Sequence, residues 1–391
     1  MRLLIKTIKF IKRKILAAWE ATKYWCFYPL GRLKYANKEI YLISERGVDA
    51  RDNGYWFFRY LRTRQPHKEA YFVLSKKSPD YKKVADLGNV VRYRSLKHYL
   101  LFIGAKYKIS THIMGFSPNM SFYNSFNWKH RIKGKLVFLQ HGVIINNLTG
   151  VYQEKTKIDL FVCGAQPEYE YIKKEFHYTG NEVVYTGLAR YDGLHDIEIK
   201  KQILIMPTWR VYLKTLNKKA LPQSDYFKHW NGVLTNRDLI NELEKNNINL
   251  VFYPHYEMQP YIKGFHTVSP RIKIAEFKKY DVQTLLKESA FLVTDYSSIF
   301  FDFAYMQKPL AYYQFDFDKF TKEHYKQGYF DYNTAGFGPV FKTESELVEY
   351  LVKKITDGFA QDDCYKARCK DFFPLRDQNN CQRIFEEIAK L

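Results

Sequence analysis

The sequence predicts an α/β chain built on two doubly wound parallel sheets, and three observations carry that prediction. From about residue 40 onward, short apolar, β-rich runs alternate with segments of helical period. The runs are almost continuously apolar, as strands buried on both faces must be. A polar stretch with two glycines, 187–201, divides the series in two. With 391 residues, 46% hydrophobic and 18% aromatic, the chain has material for about two cores.

The first 34 residues stand apart. Leu4, Ile8, Ile11, Ile15 and Trp19 recur at helical spacing, with Lys6, Lys9 and Arg13 on the other side and Tyr24, Trp25, Phe27 and Tyr28 following. Lysines and arginines interrupt every apolar run too early for a secretory leader. No other stretch approaches the roughly 20 apolar residues of a membrane span. Nine basic residues face the single acid Glu20 here, so 1–34 reads as an amphipathic helix lying on an anionic membrane surface. A helix packed on its own domain with a solvated basic face is the alternative.

Strands follow at 40–43, 71–74, 90–93, 107–110, 136–140, 160–163 and 183–186, with helices between them. A second series at 203–206, 250–253, 291–294 and 310–313 alternates with helices at 238–245, 282–288, 298–306 and 344–355. Domains are expected at 35–195 and 196–391. Two Rossmann-like domains facing each other across a cleft, the GT-B arrangement, follow by analogy.

The 62 Lys and Arg against 41 Asp and Glu leave a formal charge of +21, which calls for an acidic partner. The aromatic and basic residues form no recognisable nucleic-acid signature, so nucleic acid is not expected. Five scattered cysteines without a Cys-x-x-Cys pair speak against a disulfide framework and a zinc site, and no metal-ligand constellation stands out. A phosphate-binding P-loop, a Gly-x-Gly-x-x-Gly turn, His-Glu-x-x-His and Gly-x-Ser-x-Gly are all missing, which weakens ATPase, dehydrogenase, zinc hydrolase and serine hydrolase readings.

Ligands of open α/β sheets bind beyond the carboxyl ends of strands. Four strands end in chemically useful residues: Gln140-His141-Gly142, Pro207-Thr208-Trp209-Arg210, Tyr253-Pro254-His255 and Thr294-Asp295-Tyr296-Ser297-Ser298. Ser297 and Ser298 open a helix whose N–H groups and dipole suit a phosphate, with Thr294 beside them. The same residues also read as an ordinary helix cap. Asp302, one turn on, suits the ribose hydroxyls of a nucleotide. His141 is the side chain best poised to take a proton from an alcohol, and His255 with Arg210 suits the charge of a transferring phosphoryl group.

In order along the chain, these motifs resemble a known family. Gln140-His141-Gly142, Gly187-Leu188-Ala189-Arg190-Tyr191-Asp192, Pro207-Thr208-Trp209-Arg210, Thr294–Ser298 with Phe301-Asp302-Phe303-Ala304, Lys308-Pro309, Gly328-Tyr329-Phe330-Asp331-Tyr332 and Gly338-Pro339-Val340 are similar to blocks of the CDP-glycerol:poly(glycerophosphate) glycerophosphotransferases of wall teichoic acid synthesis and related capsule polymerases. The resemblance implies a GT-B-like fold and peripheral attachment to the cytoplasmic face of the cell membrane. It implies transfer of glycerol phosphate or another polyol phosphate from CDP-glycerol or CDP-ribitol to a lipid-linked glycan acceptor, with CMP released and no cofactor. By motif it makes His141 and His255 the catalytic histidines. Two departures stand out: Val143-Ile144-Ile145 replaces a Thr-Pro-Leu-Lys-like continuation, and Pro254-His255-Tyr256 stands where His-Pro is expected. The substituted segment, from Gly142 to Asn146, is therefore read as acceptor-side. A nucleotide-sugar transferase of the same fold and a non-catalytic membrane or nucleic-acid adaptor remain as alternatives.

Overall fold

Among the described residues thirteen strands form two sheets, and the pairings in them are parallel. The computed structural model describes residues 2–119, 133–196, 198–216, 220–277, 279–323 and 328–391. They fall into two units, the first drawn from 1–143, 149–193 and 377–391 and the second from 144–148 and 194–376. The sequence places the division two residues later and counts 377–391 with the second domain, while leaving open that the last helix, around Arg383–Ala389, crosses back onto the first. The structure gives that terminal stretch to the first unit.

The first sheet contains β1 (Ile40–Ser44), β2 (Glu69–Leu74), β3 (Val90–Arg92), β4 (Tyr107–Ser110), β5 (Lys135–Phe138), β6 (Leu160–Cys163) and β7 (Val183–Tyr185). Its order is β3-β2-β1-β4-β5-β6-β7. The second contains β8 (Lys200–Met206), β9 (Asn249–Phe252), β10 (Ile272–Ile274), β11 (Ser289–Thr294), β12 (Leu310–Tyr313) and β13 (Val340–Phe341), in the order β10-β9-β8-β11-β12-β13. Each sheet starts in its middle, winds two strands outward and then reverses. Where the direction reverses, between β1 and β4 and between β8 and β11, neighbouring strands send their connections to opposite faces and leave a crevice at their carboxyl ends. In the second unit, helices Asp225–Thr235, Arg237–Lys245 and Glu344–Thr356 bury Trp230, Leu239, Leu243, Leu347 and Leu351 with Ile203, Ile205, Leu250 and Phe252.

Residues Arg2–Tyr35 form one helix. Its second half packs on helix Leu96–Gly104, where a Cβ on Gly104 would lie 2.5 Å from Tyr35 Cβ, so only glycine permits the approach. Glu20 is buried there, accepting from the Tyr99 hydroxyl and from Lys23 Nζ. Ile8, Ile11, Ile15 and Trp19 are exposed, but so are Phe10 and Leu16 outside that stripe. The side chains of Leu4, Lys6 and Lys9 lie outside the described residues. No described helix is long and apolar enough to cross a membrane.

The motif from Gly187 to Asp192 explains how 377–391 is held. The Asp192 carboxylate accepts from Asn380 N (2.9 Å), Asn380 Nδ2 (2.7 Å) and Cys381 N (2.9 Å), capping helix Asn380–Ala389 from 188 residues away. Gly187 has φ +76°, and a Cβ there would lie 1.9 Å from Asn380 Oδ1. Asp192→Ala removes all three acceptor contacts and is expected to cost about 1–2 kcal/mol. In differential scanning calorimetry the melting temperature should fall by about 2–4 °C per kcal/mol.

Candidate functional site

Each unit gathers polar side chains at the carboxyl ends of its strands. In the first, His141 follows β5 and His112 follows β4. Their rings stack 4.7 Å apart with 16° between planes. His141 keeps an exposed edge. Burial, then the nearby Arg190 and Arg46, pushes its pKa down to about 4. Burial, then His141 and Arg46, pushes His112 down to about 2. At neutral pH both imidazoles are therefore uncharged, the form a general base needs. Thr111 Oγ1 lies 2.8 Å from His112 Nδ1, and Ser110 Oγ accepts from His112 N at 3.1 Å.

The His141 loop is held from three sides. Gln140 is fully buried with φ +45°, a conformation that costs a non-glycine residue energy, and its Nε2 donates to Val162 O (2.7 Å) and Glu168 Oε1 (3.0 Å). Asn53, also fully buried, donates from Nδ2 to Leu139 O and Gln140 O and accepts the Arg190 backbone N–H at 3.0 Å. Arg190 donates from one guanidinium nitrogen to His141 O (3.1 Å) and Asp52 Oδ1 (3.0 Å). Gly142 is buried in the same turn.

The crevice between β1 and β4 is already filled by a carboxylate. Glu45 is buried and accepts from the backbone N–H groups of Arg51, Asp52 and Tyr55, each at 3.0 Å, at the start of helix Asn53–Arg64. Burial and the neighbouring Asp52 and Asp49 push its pKa up. A phosphate would have to displace this carboxylate to reach those N–H groups.

In the second unit, β9, β8, β11 and β12 are consecutive neighbours, so the segments after them meet at one sheet end. Several sequence expectations are corrected there. Arg210 has no exposed surface: it donates to Asp316 through Nε (2.7 Å) and Nη2 (2.9 Å), and through Nη1 to Asp295 Oδ2 (2.8 Å) and Thr208 O (2.6 Å). It is a buried structural cation and offers nothing to a phosphate. Burial pushes the Asp316 carboxyl up, but hydrogen bonds and charge from Arg210 outweigh it and leave the group below its ordinary value. Thr294 is likewise buried, donating to Met206 O at 2.7 Å across the β8–β11 pair. Asp302, buried in the short helix Phe300–Tyr305, is not presented to a ribose.

What stays accessible is a smaller set. Ser297 and Ser298 are half-buried in the turn before that helix, whose cap residue is Ile299 without a side-chain cap bond. His255, half-buried after β9, accepts the Glu257 N–H on Nδ1 at 3.3 Å, which assigns the proton to Nε2. Its ring lies 6.2 Å from that of Trp209. Thr208 is not in that set: held by its N–H on Asp295 Oδ1 at 2.8 Å, it has a buried hydroxyl with no partner among the described residues. Asn146 belongs to the second unit. Among the described residues no three His, Cys, Asp or Glu are grouped to hold a metal.

His112 and Asn53 are not among the residues singled out by sequence, and Thr208 is named there only as part of its strand-end motif. His112 has a signal of the kind used for the others: it directly follows Ser110-Thr111 at the end of an apolar strand.

The family model described as CDP-Glycerol:Poly(glycerophosphate) glycerophosphotransferase matches residues 27–390. The minor teichoic acid biosynthesis protein GgaB of Bacillus subtilis (strain 168) is 32% identical over 370 residues, covering 91% of this chain and 40% of that protein. A teichoic acid glycerol-phosphate transferase of Staphylococcus aureus is 25% identical over 410 residues, 97% of this chain and 100% of that one. The chain thus spans about two fifths of the first relative and the full length of the second. The solved structure of the wall teichoic acid polymerase TagF shares the fold, with a TM-score of 0.68 at 18% identity over 99% of this chain and 97% of that one. An S. aureus MnaA-UDP co-structure follows at 0.52 and 14% identity, over 90% and 96%.

Proposed function

The chain belongs to the CDP-glycerol:poly(glycerophosphate) glycerophosphotransferase family, and from that membership we propose that it transfers glycerol phosphate, or a related polyol phosphate, from a CDP-activated donor to the hydroxyl of a lipid-linked acceptor. The observation that carries the division of labour is the contrast between the two crevices. The first is occupied by Glu45 and bordered by neutral histidines, which suits proton removal. The second keeps Ser297, Ser298 and His255 accessible, which suits a pyrophosphate.

In this reading His141 takes the acceptor proton and the freed oxygen bonds to the β-phosphorus. The bond from that phosphorus to the bridging oxygen breaks, and its electron pair leaves with CMP. His255 Nε2–H and the two serine hydroxyls stabilise the developing charge. No cofactor is required, the CDP-polyol being a substrate. Residues Gly142 to Asn146 serve the acceptor side. The exposed Ile8, Ile11, Ile15 and Trp19, with the basic residues of the same helix, support peripheral attachment at the cytoplasmic membrane face. Family membership does not favour a sugar transferase or an adaptor.

The test is CMP release from CDP-glycerol and CDP-ribitol with and without a lipid-linked acceptor, beside a UDP-sugar panel. Acceptor-dependent CMP release is expected, and UDP release without CMP would overturn the reading.

The histidine environment sets a pH expectation. Because both pKa values are depressed, the base stays unprotonated below the ordinary histidine value of about 6.5. The acid limb of kcat/KM should therefore lie nearer pH 4 than 6.5. A half-maximal point at 6.5 would remove both His141 and His112 from the base role.

A further inference from the structure

A second concavity in the second unit is chemically unlike its surroundings. About 200 Å³ in volume, it opens at the ends of β11, β12 and β13. Tyr296, Phe317, Phe330 and Tyr332 are its aromatic walls. Tyr296 is rigid: its ring stacks on Phe320 at 3.8 Å and its hydroxyl donates to Asp316 at 3.2 Å.

Three amides line the same space with hydrogen-bonding capacity unspent. Gln314, 3% exposed, commits its Nε2 to Asp295 O (3.1 Å), while its Oε1 makes no bond among the described residues. The side-chain amides of Asn146 and Asn333 make none either. Among the described residues, Asp331 and Lys342 are the charged side chains bordering the cavity. A phosphate would meet one cation offset by one carboxylate, and Arg210 is already committed to its two aspartates. Aromatic walls with an uncharged amide rim fit a ring that is apolar on its C–H faces and hydroxylated at its edge.

We propose that this cavity is a subsite for an uncharged pyranose ring, a sugar unit of the acceptor. Calling that sugar part of the acceptor rests on the proposed phosphotransferase reading; the binding chemistry does not. The acceptor is then gripped by a sugar as well as by the hydroxyl that reacts.

The test titrates the full chain with methyl glycosides of glucose, N-acetylglucosamine and N-acetylgalactosamine, and with glycerol 3-phosphate and cytidine, by saturation-transfer NMR. At least one glycoside should bind saturably. Its affinity should drop about tenfold or more in Asn146→Ala/Asn333→Ala and, independently, in Phe317→Ala, while CDP-glycerol affinity stays within about twofold. Binding of no glycoside, or displacement of a bound glycoside by glycerol 3-phosphate or cytidine, would overturn the proposal. CMP release with no glycoside binding leaves the phosphotransferase reading standing and sinks the subsite. Glycoside binding that the variants abolish, with no CMP from any donor, upholds the subsite and sinks that reading.

Discussion

Arg210→Ala is expected to destabilise the protein by about 3–5 kcal/mol, as removal of one partner from a buried ion pair does. Asp295 has no exposed surface, and its carboxylate also accepts from Thr208 N and Tyr296 N (2.8 and 2.6 Å). Asp316 takes two parallel bonds from the guanidinium and a third from the Tyr212 hydroxyl at 2.9 Å. Without the cation, two carboxylates stay in the interior with nothing to balance them, and the turns after β8, β11 and β12 lose their common anchor. Arg210→Lys should rescue little, because an ammonium cannot reproduce the planar fork that meets Asp316. Urea unfolding is the measurement. A variant with wild-type stability but weakened CDP-glycerol binding would return Arg210 to the phosphate-binding role expected from its position in the sequence.

The second large effect is at His141. His141→Ala is expected to lower kcat by about 10²–10⁴, the usual contribution of a general base, with donor affinity unchanged. Single-turnover CMP release and isothermal titration with CDP-glycerol separate the two terms. His112→Ala is the informative companion, because its ring lies 4.7 Å away and is also uncharged. Retained turnover in His141→Ala with loss in His112→Ala would assign proton removal to His112.

Much of the fold is legible in the sequence because parallel strands buried on both faces must be apolar throughout. Eleven strands show as such runs. β10 has the exposed Lys273 between its two isoleucines and so is no continuous apolar run, and β13, two residues long, is too short to stand out. His141, His255, Ser297 and Ser298 do lie beyond the carboxyl ends of their strands, as the strand-end rule expects. It fails at Arg210, Thr294 and Asp302 because position along a strand carries no information about what converges on it. Asp295 and Asp316 reach Arg210 from 85 and 106 residues away, and no local pattern announces the meeting. Asn53 is illegible for the same reason: its role depends on Gln140 and Arg190, 87 and 137 positions distant.

The Asp192 cap has a consequence for the order in which the protein is built. A ribosome delivers residues 194–376 before 377–391, so the second unit has its whole sequence available while the first still lacks helix Asn380–Ala389. During that interval the apolar side of the missing helix, including Cys381, Ile384 and Ile388, leaves a gap in an otherwise assembled domain. Of the two units, the one whose residues start earlier is thus completed later, and its hydrophobic seam stays open until residues 380–389 emerge.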